Sequence, residues 1–283
     1  MPTYIRQLTA NGLFPVDYVA NSLADAIQYE PQSGIYTVTN TYQQTKVLKF
    51  DAHLDRMENS AKLANIPFVL NRDTLRQALR EMILACKFGD VRFRVTVGAN
   101  APDVFIITLE PFIPQPADVI EKGVICVTSP NSARTNPLVK STEWMHQRDG
   151  VRKIDVYETL LLNEDWAILE GTSSNFYAIW NNPEPETGLV LYTANEGVLG
   201  GIARQIVLEV VPKLADEINV RLSPITIWDI PHISEAFITS SSRGIIPVVK
   251  IDEHVIGDGK VGQYTQRLRR LYQVWVESHL EEL

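Results

Sequence analysis

The spacing of apolar residues along the chain changes between two periods, and this predicts a protein that mixes helices with strands. Apolar residues three to four positions apart predict helices at about 51–64, 73–87, 202–214 and 263–280. Short apolar runs and alternating stretches predict strands at 36–42, 46–50, 91–97, 124–128, 159–162, 166–169, 176–180 and 235–239. We therefore expect a fold of the α/β class, in the broad sense that includes α+β proteins.

The start of the first helix carries two local expectations. The strand-like runs at 36–42 and 46–50 are close enough in sequence to pair as a hairpin. Asp51 follows them directly, and an aspartate in this position can cap the N-terminus of a helix through its side chain.

The alternating stretch 91–97 is typical of a strand with one buried face. Its valines and phenylalanine point to one side, and Arg92, Arg94 and Thr96 point to the other. Two arginines on one face suit either a solvated surface or the recognition of a substrate carboxylate, which arginine binds through paired hydrogen bonds.

A proline-rich segment divides the chain. Three prolines between Pro111 and Pro116 cannot lie inside a helix or a central strand. The sequence therefore predicts a small α+β domain at residues 1–110, a linker at 111–119 and a larger domain at 120–283.

The composition narrows the class of protein. Apolar residues make up 45% of the 283 residues, which is enough for a full core, and the formal charge of −8 argues against a nucleic-acid binder. Cys86 and Cys126 do not form a C-x-x-C pair, and the five histidines lack metal-ligand spacing, so we expect no metal site and a reducing, cytoplasmic compartment. No apolar run approaches the roughly 20 residues of a membrane helix.

Three short segments are candidates for a catalytic or phosphate-binding site. Glu170 is a lone carboxylate on an expected turn between apolar strands, Gly200–Gly201 stands directly before a helix, and Thr239–Ser242 supplies four hydroxyls at the end of a strand. Glycines before a helix N-terminus and a hydroxyl-rich turn can both bind phosphate. Each segment also has a plainer interpretation: a turn acid, a glycine-rich turn and a polar loop.

Taken together, these motifs resemble the class IV aminotransferases, the fold-type-IV pyridoxal-phosphate enzymes. This group includes branched-chain aminotransferases, D-amino-acid aminotransferases and aminodeoxychorismate lyases. The resemblance runs from about Tyr36 to the end of the chain. The family's H-x-x-R motif matches His53–Arg56, its E-G-x-x-x-N motif matches Glu170–Asn175, and its L-x-G-I-x-R motif matches Leu199–Arg204. The resemblance implies a two-domain fold-type-IV structure and pyridoxal 5′-phosphate as cofactor.

The resemblance also implies roles for single residues. Lys140 lies 30 residues before Glu170, as the family's Schiff-base lysine does, whereas Lys153 lies only 17 residues before it and is the poorer candidate. Glu170 is implied to keep the pyridine nitrogen protonated. The implied cofactor-binding set comprises Arg56, Lys140, Glu170, Asn175, Gly201, Ile202, Ala203, Ser240 and Ser241.

The substrate side departs from the branched-chain enzymes. Their glutamate and arginine near the N-terminal hairpin are Thr37 and Asn40 here, and their tyrosine five residues after the lysine is Met145. The resemblance therefore does not imply a standard branched-chain substrate. The candidates for substrate contacts are Arg94, which is our first choice, Arg92 and Tyr36.

The leading hypothesis is a pyridoxal-phosphate-dependent transaminase that moves an amino group between an amino acid or amine and a 2-oxo acid. One alternative is a lyase of the aminodeoxychorismate type, which uses the same cofactor. Another is a non-catalytic relative that binds pyridoxal phosphate. The expected partners are the small-molecule donor and acceptor and a second copy of the chain in a homodimer, with no nucleic acid and no membrane.

Overall fold

The computed structural model describes residues 3–181, 188–214 and 217–283, and it divides into two compact units. Unit 1 comprises Met1–Ile113, Val139–Gln147 and Ser278–Leu283, and unit 2 comprises Pro114–Leu138 and Arg148–Glu277. The first division therefore falls inside the proline-rich segment. Two pieces from the second half of the sequence belong to unit 1, which differs from the two continuous segments that we expected.

The elements mix helices and strands throughout both units, as predicted. In chain order the elements are β1 (Tyr4–Thr9), β2 (Gly12–Pro15), β3 (Gly34–Asn40), β4 (Lys46–Leu48), α1 (Phe50–Leu63), α2 (Arg72–Cys86), β5 (Val91–Gly98), β6 (Ala101–Pro111), α3 (Ala117–Lys122), β7 (Val124–Ser129), α4 (Thr142–Val151), β8 (Glu158–Leu162), β9 (Ile168–Gly171), β10 (Asn175–Asn181), β11 (Leu189–Tyr192), α5 (Ile202–Val210), β12 (Ile218–Arg221), β13 (Glu235–Ser240), β14 (Gly244–Ile251), β15 (His254–Val255), α6 (Gln263–Ser278) and β16 (Leu280–Glu282).

Unit 1 is built on a five-stranded antiparallel sheet with the strand order β2-β1-β6-β5-β3. Helices α1 and α2 bury the apolar stripes that the sequence predicted, including Leu54 and Met57 of α1 and Leu79 of α2. These residues pack with Phe93 and Val95 of β5 in one hydrophobic core. The sheet therefore has one face covered by helices, and α1 is held against β3.

The predicted hairpin between β3 and β4 is wrong, apart from a single bridge between Tyr42 and Lys46. Strand β3 pairs with β5, and β4 pairs with the C-terminal strand β16. The prediction that Asp51 caps the helix is also wrong. The N-cap residue is Lys49, and its side chain makes no capping hydrogen bond. The amide of Phe50 donates instead to Glu281 Oε1 at 2.6 Å, which is a partner 231 residues away in the sequence.

Strand β5 is buried on both faces, so the expectation of one exposed face is wrong for Arg94 and Thr96. The reason is the segment before β3, in which Ala20 and Ala26 pack with Ile5 of β1. This segment covers the face of the sheet that the helices leave open. A polar strand face that looks solvated in the sequence is thus part of a second, smaller core.

Unit 2 contains a mixed nine-stranded sheet with the path β12-β11-β10-β13-β14-β7-β8-β9 and with β15 on β14. Because β9 also pairs with β10, the strands β10, β13, β14, β7, β8 and β9 form a closed ring. Its core contains Cys126, Phe176, Ile238 and Ile246, among other buried apolar residues. In the part of the chain that the structure describes, no helix is long and apolar enough to span a membrane.

Candidate active site

In unit 1, the predicted lysine lies beside the edge strand β3. The Lys140 carbonyl accepts a hydrogen bond from the Tyr36 amide at 3.0 Å, and its own amide donates to Ser60 Oγ at 3.1 Å. The Lys140 Nζ atom is 4.6 Å from the centroid of the Tyr36 ring. The backbone of Lys140 is thus fixed by β3 and by α1, and its partly buried amine lies against an aromatic face. Lys153, the poorer candidate, is exposed.

The H-x-x-R motif places Arg56 and His53 on the face of α1 that looks towards β3. Arg56 Nη2 lies 3.4 Å from Thr37 Oγ1 and 3.5 Å from His53 Nδ1, and the Thr37 hydroxyl and His53 Nδ1 are 2.8 Å apart. Burial of the imidazole, followed by the charges of Arg56 and Lys140, lowers the pKa of His53 well below its ordinary value. His53 is therefore neutral, so it adds no third positive charge beside Arg56 and Lys140.

The two arginines of β5 have different surroundings. Arg94 is buried and makes an ion pair with Glu30, in which Nε and Nη2 donate to Glu30 Oε1 at 2.9 and 2.7 Å. Its Nη1 donates to the carbonyl oxygen of Leu23 at 2.9 Å. Arg92 lies on the same face with 43% of its side chain exposed, and it pairs with Glu110 at 3.4 Å. The structure thus gives Arg94 an internal carboxylate partner in place of the substrate carboxylate that we expected.

In unit 2, Glu170 is the second-last residue of β9 rather than part of a turn. Its side chain is buried and accepts two hydrogen bonds: Oε1 from Arg134 Nη1 at 3.3 Å and Oε2 from the Leu199 amide at 3.1 Å. A buried carboxylate needs such compensation. The guanidinium of Arg134 therefore supplies the counter-charge of the buried Glu170 carboxylate.

Asn175 joins Glu170 to the glycine turn before α5. It pairs with Glu170 in the β9–β10 register, and its Nδ2 donates to the Leu199 carbonyl at 2.9 Å. Gly201 is the N-cap of α5, and a Cβ there would collide with Asn175 Oδ1, whereas a Cβ at Gly200 would meet nothing within 4 Å. The structure therefore requires glycine at 201, so that the turn can approach Asn175.

The first turn of α5 supplies the amides that the motif implied. Ile202 and Ala203 are the first two residues of this helix, and amides in a first helical turn have no acceptor within the helix. Arg204, the last residue of the motif, turns inward and donates to the carbonyl of Ala194 at 3.0 Å. The helix N-terminus is therefore suited to an anion, and Arg204 secures the chain behind it.

The hydroxyl-rich segment Thr239–Ser242 begins in the last two residues of β13 and enters a turn at Ser241. Ser240 ends the strand, and Thr239 pairs with Asn175 in the β10–β13 register. The end of β9, the start of β10 and the end of β13 therefore lie at one edge of the sheet. This edge brings together Glu170, Asn175, the glycine turn and Ser240, which come from three motifs that lie apart in the sequence.

Three charged residues of this region were missed by the sequence analysis. Arg134 lies in a loop, 36 residues before its partner Glu170, and no local pattern marks it. Glu158 begins the buried strand β8, and Arg243 pairs with it at 3.2 Å. A lone carboxylate at the head of an apolar strand, and an arginine directly after four hydroxyl residues, were the signals available.

Burial raises the pKa of the Glu158 carboxyl, but the charge of Arg243 and the donors Thr172 and Ser173 more than offset this effect. The pKa of Glu158 consequently lies below its ordinary value. Glu158 is thus a buried anion, and it is paired with its own arginine as Glu170 is with Arg134.

The chain belongs to the class IV aminotransferases, since the family model described as amino-transferase class IV matches residues 34–251, more than half of the chain. It is similar to a probable branched-chain-amino-acid aminotransferase from Thermotoga maritima, with 26% identity over 252 residues that cover 89% of each protein. It is also similar to a D-alanine aminotransferase from Bacillus licheniformis, with 26% identity over 262 residues that cover 87% of this chain and 88% of the relative.

A solved structure has the same fold. It is the branched-chain amino acid aminotransferase of Escherichia coli, which matches with a TM-score of 0.79 at 20% identity, with 99% of this chain and 98% of that chain covered. The predicted family, fold-type-IV fold and transaminase class are therefore confirmed, and the lyase alternative is not favoured. Enzymes of this family generally depend on pyridoxal phosphate.

Proposed function

We propose that this chain uses pyridoxal 5′-phosphate to move an amino group between an amino acid or amine and a 2-oxo acid. The observation that carries the proposal is the meeting of Glu170, Asn175, the turn at Leu199–Ala203 and Ser240 at one edge of the unit 2 sheet. Three separate motifs meet there, and a shared ligand that needs all of them accounts for their meeting.

The donor set fits the chemistry of this cofactor. A pyridine nitrogen that carries a proton needs a carboxylate, and Glu170 is a buried one with Arg134 as counter-charge. A phosphate needs amides and hydroxyls, and these are present at Ile202, Ala203 and Ser240, with Ser241 next in the chain. Unit 2 thus offers acceptor and donor groups for the two polar ends of the cofactor.

The residues of unit 1 supply two further groups that this cofactor requires, an amine and a cation. Lys140 supplies the amine, and Arg56 supplies a cation on the same face of α1 as Ser60, which holds the Lys140 amide. We propose that Arg56 binds the cofactor phosphate. When bound, the cofactor supplies an aldehyde that bonds to amines and a ring that withdraws electrons.

The protein groups then have distinct tasks. With the cofactor bound, Lys140 Nζ would take up the proton from the substrate Cα and return it, as the general acid–base group. Glu170 holds the proton at the ring nitrogen, which keeps the ring electron-poor. The Tyr36 ring flanks Nζ at 4.6 Å and restricts where the amine can point.

For the substrate carboxylate, the surroundings of the β5 arginines favour Arg92 over Arg94. Arg92 is half exposed, whereas the donors of Arg94 are engaged by Glu30 and Leu23. We propose that Arg92 and Tyr36 contact the substrate. By analogy with the family, we further propose a cytoplasmic homodimer, with an amino donor and a 2-oxo acid as the small-molecule partners.

Borohydride reduction tests the proposal. The purified protein should absorb in the visible range when loaded with pyridoxal phosphate, and reduction should fix the cofactor covalently to Lys140. Lys140→Ala should abolish the covalent product, and Lys153→Ala, at an exposed lysine in unit 2, is the matched control that should retain it. An adduct mapped to Lys153, or to no lysine, would exclude the assignment.

A further inference from the structure

A buried ion pair in unit 2 joins the loop between β9 and β10 to the end of β13, where Ser240 of the proposed phosphate site lies. Glu158 Oε2 accepts hydrogen bonds from Ser173 Oγ at 2.9 Å, from Ser174 Oγ at 3.0 Å and from Arg243 Nη2 at 3.2 Å. Its Oε1 accepts from the hydroxyl of Thr172. Glu158 is therefore the acceptor at which all three hydroxyls of the E-G-x-x-x-N motif converge.

Arg243 extends this network to the other loop. Its Nε donates to Ser240 Oγ at 2.8 Å, and its Nη2 donates to both the carbonyl and the hydroxyl of Ser173 at 3.0 Å. One guanidinium thus bonds to the end of β13 and to the loop between β9 and β10. The planar, fixed geometry of the donors is what allows it to fix two loops at once.

The packing around the pair leaves little room for movement. A Cβ at Gly171 would collide with Ser174 Oγ and crowd the side chain of Glu158. The Arg243 guanidinium lies 5.6 Å from the centroid of the Tyr157 ring, which covers it. The side chain of Glu158 is fully buried and that of Arg243 is 16% exposed, so each charge depends on the other for compensation.

We propose that the Glu158–Arg243 pair, held by the 172–174 loop, positions Ser240 for recognition of the cofactor phosphate. Arg243 is a positioning residue in this proposal, since its Nε and Nη2 atoms bond to protein groups and it acts through the hydroxyl of Ser240. The proposal rests on the proposed function, because it assumes that Ser240 serves the phosphate. It adds a requirement that no family motif contains.

The experiment compares two ligands that differ only in the phosphate. The apo forms of wild type, Arg243→Gln, Arg243→Lys and Arg267→Gln are titrated with pyridoxal 5′-phosphate and with pyridoxal. Arg267→Gln is the matched control, because this arginine makes an ion pair with Glu217 in the same unit, exposed on α6. Absorbance of the bound ligand gives the dissociation constant in each case.

We expect Arg243→Gln to raise the dissociation constant for pyridoxal phosphate about tenfold or more, which is the usual effect of losing a charge-assisted hydrogen bond. The constant for pyridoxal should change little. Arg243→Lys keeps the charge without the fork of donors, so it should fall between wild type and Arg243→Gln. Arg267→Gln should match wild type with both ligands.

The variant Ser240→Ala, as a second background, tests whether Arg243 acts through Ser240. In Ser240→Ala, the Arg243→Gln change should add little further loss, because the hydroxyl that it positions is absent. Losses that simply multiply would overturn the proposal, as would equal losses for both ligands or an unchanged constant for pyridoxal phosphate. If Arg243→Gln does not fold, Arg243→Lys in the two backgrounds decides the matter in the same way. Wild type that binds neither ligand would refute the proposed function itself.

Discussion

Arg94 and Glu30 form a buried ion pair in unit 1, with arginine Nε and Nη2 donating to the same carboxylate oxygen at 2.9 and 2.7 Å. Only 4% and 1% of the two side chains are exposed. The pair ties the end of the segment that covers the sheet to the middle of β5, and the Leu23 carbonyl takes a further hydrogen bond from the same guanidinium. Arg94 therefore contributes to the folding of unit 1.

Arg94→Ala should destabilise the protein by about 3–5 kcal/mol, because it leaves the Glu30 carboxylate buried without its counter-charge. Arg92→Ala is the control on the same strand, where a partly exposed pair with Glu110 should contribute about 1 kcal/mol or less. Urea unfolding followed by far-UV circular dichroism measures both. A stable Arg94→Ala variant with a raised KM for the 2-oxo acid would instead restore its predicted role in substrate binding.

Arg92→Ala should impair carboxylate substrates selectively. If Arg92 contacts the substrate carboxylate, losing that charged hydrogen bond should lower kcat/KM for a 2-oxo acid by roughly 10- to 100-fold. An aldehyde acceptor without a carboxylate should be affected little. Steady-state kinetics with the two acceptors makes the comparison, and equal losses on both would mark Arg92 as part of the sheet surface alone.

Glu170→Ala should leave the cofactor bound but slow the proton transfer by at least about 100-fold, because an uncompensated ring nitrogen loses its proton. Single-turnover absorbance changes with an amino donor separate this step from binding. The same variant leaves Arg134 buried without its carboxylate, so its stability should also fall. Turnover close to wild type would mean that Glu170 has only the structural role of holding Arg134 and the Leu199 amide.

Much of this site could be predicted from local sequence, and what could not be predicted depends on distant contacts. Gly201 and Asn175 belong to short motifs, and the structure shows why they occur together, since Asn175 contacts the turn at Gly201. Arg134 and Glu30 find their partners 36 and 64 residues away along the chain. Such pairings depend on how the strands are ordered, which periodicity alone does not specify.

In the fold, too, elements set by local sequence were predicted and pairings between distant segments were not. Helix α2 was predicted within one residue at each end, because its apolar stripe is formed by residues close in sequence. The partner of β4 was not predicted, since it is the strand β16 at the other end of the chain. The burial of Arg94 was missed for a related reason: the segment that covers it precedes β3, and its turns and short 3-10 helix (Asp25–Tyr29) give no periodic pattern of apolar residues.

Stability should fall as the pH falls below about 6.5 because of His53. The pKa of this imidazole is lower in the folded protein than in the unfolded chain, so the unfolded chain binds more protons in this range. One extra proton bound by the unfolded chain lowers the free energy of unfolding by up to about 1.4 kcal/mol for each unit by which the pH falls. His53→Gln should flatten the dependence measured by urea unfolding between pH 7.5 and 5.5, whereas His279→Gln, at an exposed histidine, should not. An unchanged slope in His53→Gln would assign the dependence to other groups.

The two neighbouring glycines of the turn before α5 should differ in their response to the same substitution, with a loss of stability and affinity at Gly201 only. In Gly201→Ala the new methyl group would collide with Asn175 Oδ1, so Asn175 must shift and loosen its hydrogen bond to the Leu199 carbonyl. Overpacking of this kind costs about 1–3 kcal/mol. It should also weaken the binding of pyridoxal phosphate, because the Ile202 and Ala203 amides move with the turn.

Gly200→Ala is the matched control, since its methyl group meets nothing within 4 Å and the backbone there does not adopt the left-handed conformation. Its stability and cofactor affinity should stay close to those of wild type. Thermal unfolding of the apo proteins and titration with the cofactor give the two quantities separately. Equal behaviour of the two variants would contradict the inference that contact with Asn175 sets the position of the helix N-terminus. A loss of affinity in Gly200→Ala alone would instead place the ligand against Gly200.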